Sequence, residues 1–324
     1  MKLFKSIFFR LQRAKNFATF KFLKNPGMMG YQERMNLYKT CKYELQGNGA
    51  AIEFGAFLGA STSAIQAGLR SNKKTRKIDF HVVDCFRSGI HTEFSLIARS
   101  IAAKTAQDGS LYEKDGWLCF EKIFFENIDH KDPHLHVHQT LINEFNWNSQ
   151  PVELLHLDLP KDWKLAYPIA QMIFPDLLVG GKVLFQDFGY QWSAELIAIA
   201  GYLIEKELIK PYRITDTTLS VEITKKISHA EIELLNAAMQ DPDKVIELID
   251  IARAATKEIS EYANISLLIA KAQYQYLHKT PRDAFITIAD VLNYKLFDTE
   301  SQERLSDVLR NNFSFEESYL TEEK

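Results

Sequence analysis

The chain has 324 residues with 46% apolar side chains, a size and composition that suit two domains of a globular protein. Cys41, Cys85 and Cys119 show no CxxC spacing and offer no disulfide framework, which fits a reducing, cytoplasmic compartment, and no apolar run reaches the roughly 18 residues of a membrane span. The net charge of −3 is uneven: residues 1–32 carry Lys2, Lys5, Arg10, Arg13, Lys15, Lys21 and Lys24 with no acid, leaving −10 for the rest, so nucleic acid is a poor partner for the core.

In chain order, the first element is a basic amphipathic helix. Leu3, Phe4, Ile7, Phe8, Leu11 and Ala14 share one face, with Lys2, Lys5 and Arg13 opposite. Two readings fit: residues 1–24 lie peripherally on the anionic inner face of a membrane, or they dock on the main domain with the basic face solvated. Charges interrupt the apolar stretch, so it does not read as a secretory signal. Asn25-Pro26-Gly27 ends it, residues 31–45 read as a helix, and Gln46–Gly49 as a turn.

Strands and helices then alternate. Ala51–Phe54 is a strand, Ser61–Arg70 a helix, Ile78–Val83 a strand before Asp84, and Leu96–Gln107 and Trp117–Glu126 helices. His134–His138 and Glu153–Leu157 are strands, and Ala166–Phe174 is a helix. After Gly180-Gly181 comes the strand Lys182–Phe185, then the helix Ala194–Leu208 and a hairpin of Tyr212–Ile214 with Leu219–Thr224. The alternation predicts an α/β fold, a Rossmann-like doubly wound, mostly parallel sheet over residues 31–227, with ligands at the carboxyl ends of the strands. Residues 228–324 read as an all-helical region with helices over 229–240, 243–258, 261–278, 281–292 and 300–310. Leu268, Ala272, Ala284 and Ile288 fit one partial tetratricopeptide-like pair, short of the three repeats a solenoid needs, so an ordinary helical appendage is expected, open to a protein partner or self-association.

The ligand signal is the run from Glu53 to Thr62. A strand ends in an acid, passes Gly55 and Gly59, and enters a helix that Ser61, Thr62 or Ser63 could cap, so that backbone N–H groups face a ligand. The pattern ExGxxxG lacks the third glycine of the dinucleotide fingerprint, and Phe57 and Leu58 fill the loop, which argues against a nicotinamide oxidoreductase.

These residues, with Glu33-Arg34 and Leu37-Tyr38 ahead of them, Val83-Asp84-Cys85-Phe86 and Gly89 after them, then Leu155-His156-Leu157-Asp158, Leu178, Gly180-Gly181 and Phe185-Gln186-Asp187, follow a known order. The chain resembles class I S-adenosylmethionine-dependent methyltransferases, more narrowly the bacterial branch that includes macrocin-type sugar O-methyltransferases, from about Tyr31 to Lys226. The resemblance implies S-adenosylmethionine as cofactor: Asp84 on the ribose hydroxyls, Cys85 and Phe86 beside adenine with Gln139 or Thr140 near it, Gly55, Ala56, Phe57, Gly59, Ser61 and Thr62 along the methionine part, and Glu53 and Asp158 near its ammonium. It also implies a divalent ion such as Mg2+ held by Asp158 and Asp187, which would orient and acidify an acceptor hydroxyl. The pattern departs in two places. Leu159-Pro160-Lys161-Asp162-Trp163 stands where the family has glycine, a second acid and a His or Tyr, and Gln186 stands where an acid is common. Lys161 and His91 are substitute candidates for the base.

His134, His136 and His138 alternate on one strand face, as a metal site or as an exposed sheet surface; His156 is expected to be packed. Two functions follow: O-methylation of a sugar or glycan intermediate, or a catalytically inactive binding or scaffolding protein of the same fold.

Overall fold

The computed structural model describes residues 13, 15–17, 19–159 and 162–292. β1 (Ala50–Phe54) lies mid-sheet and is buried along its whole length. Its alternation sets the two layers: Ala51 packs with one hydrophobic cluster, Ile52 and Phe54 with the other. The chain then gives α2 (Ala60–Ser71), β2 (Phe80–Asp84), β6 (Leu135–Gln139), β7 (Val152–Leu157), α5 (Trp163–Ile173), β8 (Leu177–Phe185), α6 (Ala194–Glu205), β9 (Ile209–Thr215) and β10 (Thr218–Ile223); α1 (Tyr31–Lys39) precedes them all. The seven strands run in the order β6-β2-β1-β7-β8-β10-β9, all parallel except β10. From β1 the chain moves outward through β2 to β6, then returns to β7 and β8 on the other side. The strand order therefore reverses between β1 and β7, where a doubly wound sheet opens its ligand crevice.

Several elements differ from the sequence expectation. The helix over 31–45 stops at Lys39 and continues as a π turn, Thr40–Glu44, which carries the fully buried Cys41 against α2. The helix expected over Trp117–Glu126 is split into β5 (Trp117–Cys119) and α4 (Glu121–Asn127). Asp115 and Gly116, both at positive φ, form the two-residue turn that pairs β4 (Tyr112–Lys114) with β5. With β3 (Arg87–Gly89) these make a small antiparallel sheet, β3-β5-β4, beside α3 (Glu93–Lys104). β8 begins before Gly180-Gly181 rather than after them, with a register irregularity where they pass β7.

The helices past residue 228 are α7 (His229–Met239), α8 (Pro242–Thr256), α9 (Glu261–His278) and α10 (Pro281–Leu292); the expected helix over 300–310 lies outside the described residues. Ile232, Leu235, Val245, Leu248, Ile249 and Leu267 join the same core as Leu155, Val183 and Phe185 of the sheet. At the other end, Phe17 stacks on Tyr31 at 5.6 Å and Asn16 donates to the Tyr31 hydroxyl, so this part of the N-terminal segment rests on α1; residues 1–12 lie outside the described residues.

Candidate active site

Gly55 and Gly59 both have φ of +87°, the left-handed conformation, in the loop after β1. A Cβ on Gly55 would lie 2.9 Å from the backbone of Asp158 and Leu159, so the end of β7 closes directly on this loop. The following helix starts at Ala60 with Gly59 as its N-cap and no side-chain cap. Ser61, Thr62 and Ser63 are buried inside it instead, because this face of α2 packs on the sheet; Thr62 Oγ1 donates to Glu53 at 2.5 Å.

Glu53 is fully buried on the α2 side of β1. Its other oxygen accepts from His156 Nδ1 at 3.0 Å, on the neighbouring strand β7. Burial alone lowers the His156 pKa, yet the hydrogen bond and charge of Glu53 leave it above its ordinary value. Asp84 closes the loop from the other side. Its Oδ2 accepts from the amides of Ala56 at 2.8 Å and Phe57 at 2.9 Å, and Oδ1 accepts from Phe86 at 2.6 Å. Burial pushes this carboxyl up, against the three N–H donors. Phe57 is half-buried between Phe94 and Phe120, while Phe86 is fully buried against Phe124.

Beyond Asp84, at the carboxyl ends of β2 and β6, lies a cavity of about 320 Å³. Cys85, Gln139 and Thr140 floor it, and Arg87, Tyr112 and Trp117 of the small sheet wall it; Arg87 sits over the Trp117 ring at 5.0 Å. His91 is exposed in the turn before α3 and is not among the cavity-lining residues.

Asp158 and Asp187 follow the ends of β7 and β8, whose last residues pair Leu157 with Phe185. Asp187 is itself left-handed, with φ of +62°. The third carboxylate nearby is Glu33 of α1, a hub that sequence reading placed only as part of a helix. Its Oε1 accepts from Gln186 Nε2, from Thr217 N and Oγ1, and from Thr218 Oγ1, and its Oε2 accepts from Gly30 N. Thr218 Oγ1 shares its one proton between Glu33 and Gln186 Oε1, so an amide here bridges donors and acceptors where an acid would face Glu33 as a like charge. Asp158 and Asp187 belong to no group of three metal-ligating side chains among the described residues. Lys161 lies outside the described residues. After Asp187 the stacked rings of Tyr190 and Trp192, 4.3 Å apart, lead to a second cavity of about 460 Å³ lined by Asp162, Trp192, Glu195, Tyr274 and His278.

The fold is Rossmann-like, a mostly parallel seven-stranded sheet with flanking helices. No family model and no curated protein matches the chain. Among solved structures, it is similar to the O-methyltransferase NovP, at 16% identity over 63% of this chain and 88% of that one, with a TM-score of 0.45. It is also similar to CalS11, a TDP-rhamnose 3′-O-methyltransferase of calicheamicin biosynthesis, at 16% identity over 59% and 76% with a TM-score of 0.36. An O-methyltransferase from Bacillus cereus in complex with SAH aligns at 12% identity over 66% and 90%, with a TM-score of 0.35. Likeness at this level concerns layout, not cofactor, acceptor or chemistry.

Proposed function

We propose that the chain is an S-adenosylmethionine-dependent methyltransferase acting on a hydroxyl of a sugar or glycan intermediate. The observation that carries this reading is the left-handed Gly55–Gly59 loop at the strand-order reversal, tied by Asp84, whose chain neighbour Cys85 lines a cavity with Gln139 and Thr140. In this reading the cavity takes the adenosine end, with Trp117 as an aromatic wall, and the loop amides and glycines meet the methionine end. The role of Asp84 is twofold: it holds the loop through the Ala56 and Phe57 amides, and one lone pair of Oδ1 is left for a ribose hydroxyl. Glu53 acts from below, fixing His156 and the start of α2 rather than meeting the cofactor directly.

When bound, the cofactor supplies an electrophilic methyl group to an acceptor oxygen aligned with it. The protein's task is to position that oxygen and take its proton. Asp158 and Asp187, on adjacent strand ends, are our candidates for the proton acceptor. The second cavity, with the faces of Trp192 and Tyr274 and the carboxylates of Asp162 and Glu195, suits a polyhydroxylated acceptor. A scaffold of the same fold without turnover is the second reading, favoured by the inward commitment of Glu53 and Glu33 to protein partners.

The test is calorimetry with S-adenosylhomocysteine on the full chain and on Cys85→Trp, which fills the cavity without touching the loop. Saturable binding by the wild type and at least about tenfold weaker binding by the variant are expected, about 1.4 kcal/mol. Absence of binding to the wild type would sink the cofactor assignment. Binding without methyl transfer to any nucleotide sugar or lipid-linked glycan would favour the scaffold.

A further inference from the structure

The ligand edge leaves one cluster of chemistry-bearing side chains unexplained. On the opposite rim of the sheet, β2 and β6 pair in parallel with His81 beside His136 and Val83 beside His138. Residues paired or two apart share a face, so Asp79, His81, His134, His136 and His138 all project from the same side of these strands. Asp79 Oδ1 lies 3.2 Å from His136 Nε2 and 3.5 Å from His134 Nδ1. The His81 ring stacks on both His136, at 4.8 Å, and His138, at 5.3 Å. One ligand atom each from Asp79, His81 and His136 lie within 4.8 Å of one another, and no other such trio occurs among the described residues.

A solvated edge strand would account for His134 and His136, which are partly exposed. It does not account for His81, one strand further in and only 8% exposed. Three nearly stacked imidazoles are a poor arrangement for protons, since each added charge repels the next. They are a good one for lone pairs.

We propose that Asp79, His81 and His136 form a binding site for a divalent transition-metal ion of the zinc class. Two imidazoles and one carboxylate suit Zn2+, Co2+ or Ni2+ better than Mg2+ or Ca2+, which prefer all-oxygen shells. Tetrahedral coordination at ordinary Zn–N lengths sets ligand atoms roughly 3.3 Å apart, a closure that the partly exposed side chains of His136 and Asp79 supply. His134 or water completes the shell. The remaining polar partners form an outer shell: His81 Nδ1 lies 3.1 Å from His138 Nε2, and Gln150 Nε2 lies 2.7 Å from His81 Nε2. One of these contacts orients the ring and the other gives way to the ion. Asp79 precedes Asp84 by five residues of extended chain, roughly 16 Å, so the ion is remote from the carboxyl-end loop. It ties the edge strand β6 to β2, and its role is structural.

The experiment is titration of the untagged, chelator-treated full chain with Co2+ and Zn2+. One equivalent of Co2+ should give the intense visible absorption of a tetrahedral site, and Zn2+ should displace it and raise the melting temperature. His136→Gln and Asp79→Asn alter surface side chains that the fold tolerates, and each should weaken Co2+ binding by about tenfold or more and abolish the thermal shift. Absence of a saturable one-to-one signal overturns the proposal. So does an affinity unchanged in both variants, because the ion would then sit elsewhere.

Discussion

Glu53 and His156 form a fully buried pair beneath the cofactor-type loop, and the pair has a pH signature. The folded-state pKa of His156 is held above its unfolded value of 6.5. The native state therefore binds a proton more tightly than the unfolded chain does. The resulting stabilisation is fully present below pH 6.5 and is lost as pH rises through the folded-state value. Urea unfolding of the wild type and His156→Gln at a series of pH values reads this directly. The stability gap between them should narrow from pH 6 towards pH 9; a gap that stays flat or widens would refute a protonated His156. At this scale the two loop glycines were legible in the sequence as the sites of a tight turn, whereas the positive φ of Phe57 between them was not. The orientation of Glu53 and Asp84 was not, since strand-end acids look alike whether they face a ligand or the loop's own amides. The hub at Glu33 was also hidden, because its partners Thr217 and Thr218 are distant in sequence.

The small sheet β3-β5-β4 is the element that roofs the candidate adenosine cavity. Its signal was present as the Asp115-Gly116 pair, a strong hairpin turn, but the apolar run from Trp117 through Phe125 has helix-like spacing and masked it. The core strands were easier: short apolar runs, with the acids Glu53, Asp84, Asp158 and Asp187 at or just past the ends of four of them. Trp117 is 42% exposed and lines the cavity under Arg87, so it should report occupancy. Adding S-adenosylhomocysteine should change the intrinsic fluorescence of the wild type, and Trp117→Phe should lose most of that change while keeping binding within about tenfold. An unchanged response in Trp117→Phe would place the ligand away from the small sheet.

At the scale of the whole molecule, α7, α8 and α9 are joined to the sheet through one continuous apolar core. The sequence reading of an appendage followed from the loss of strand signals, and composition says nothing about which surface a helix covers. The seam is close at Gly201 in α6. A Cβ there would fall 2.0 Å from the carbonyl oxygen of Leu248 in α8, so the two helices approach at backbone contact. Beside it, Trp163 Nε1 donates to Asn236 at 2.9 Å and joins α5 to α7. Gly201→Ala must therefore push α8 outward, at a cost of about 1–3 kcal/mol for overpacking. Because the core is shared, the loss should not stay local. Hydrogen exchange should show the amides of β1 and of α8 losing protection by the same free energy in the variant, as parts of one cooperative unit. Loss of protection in α8 with β1 unchanged would make the helical region a separate folding unit. In that case Tyr274 and His278 would move with the helical region and change the spacing of the second cavity's lining from Trp192 and Glu195.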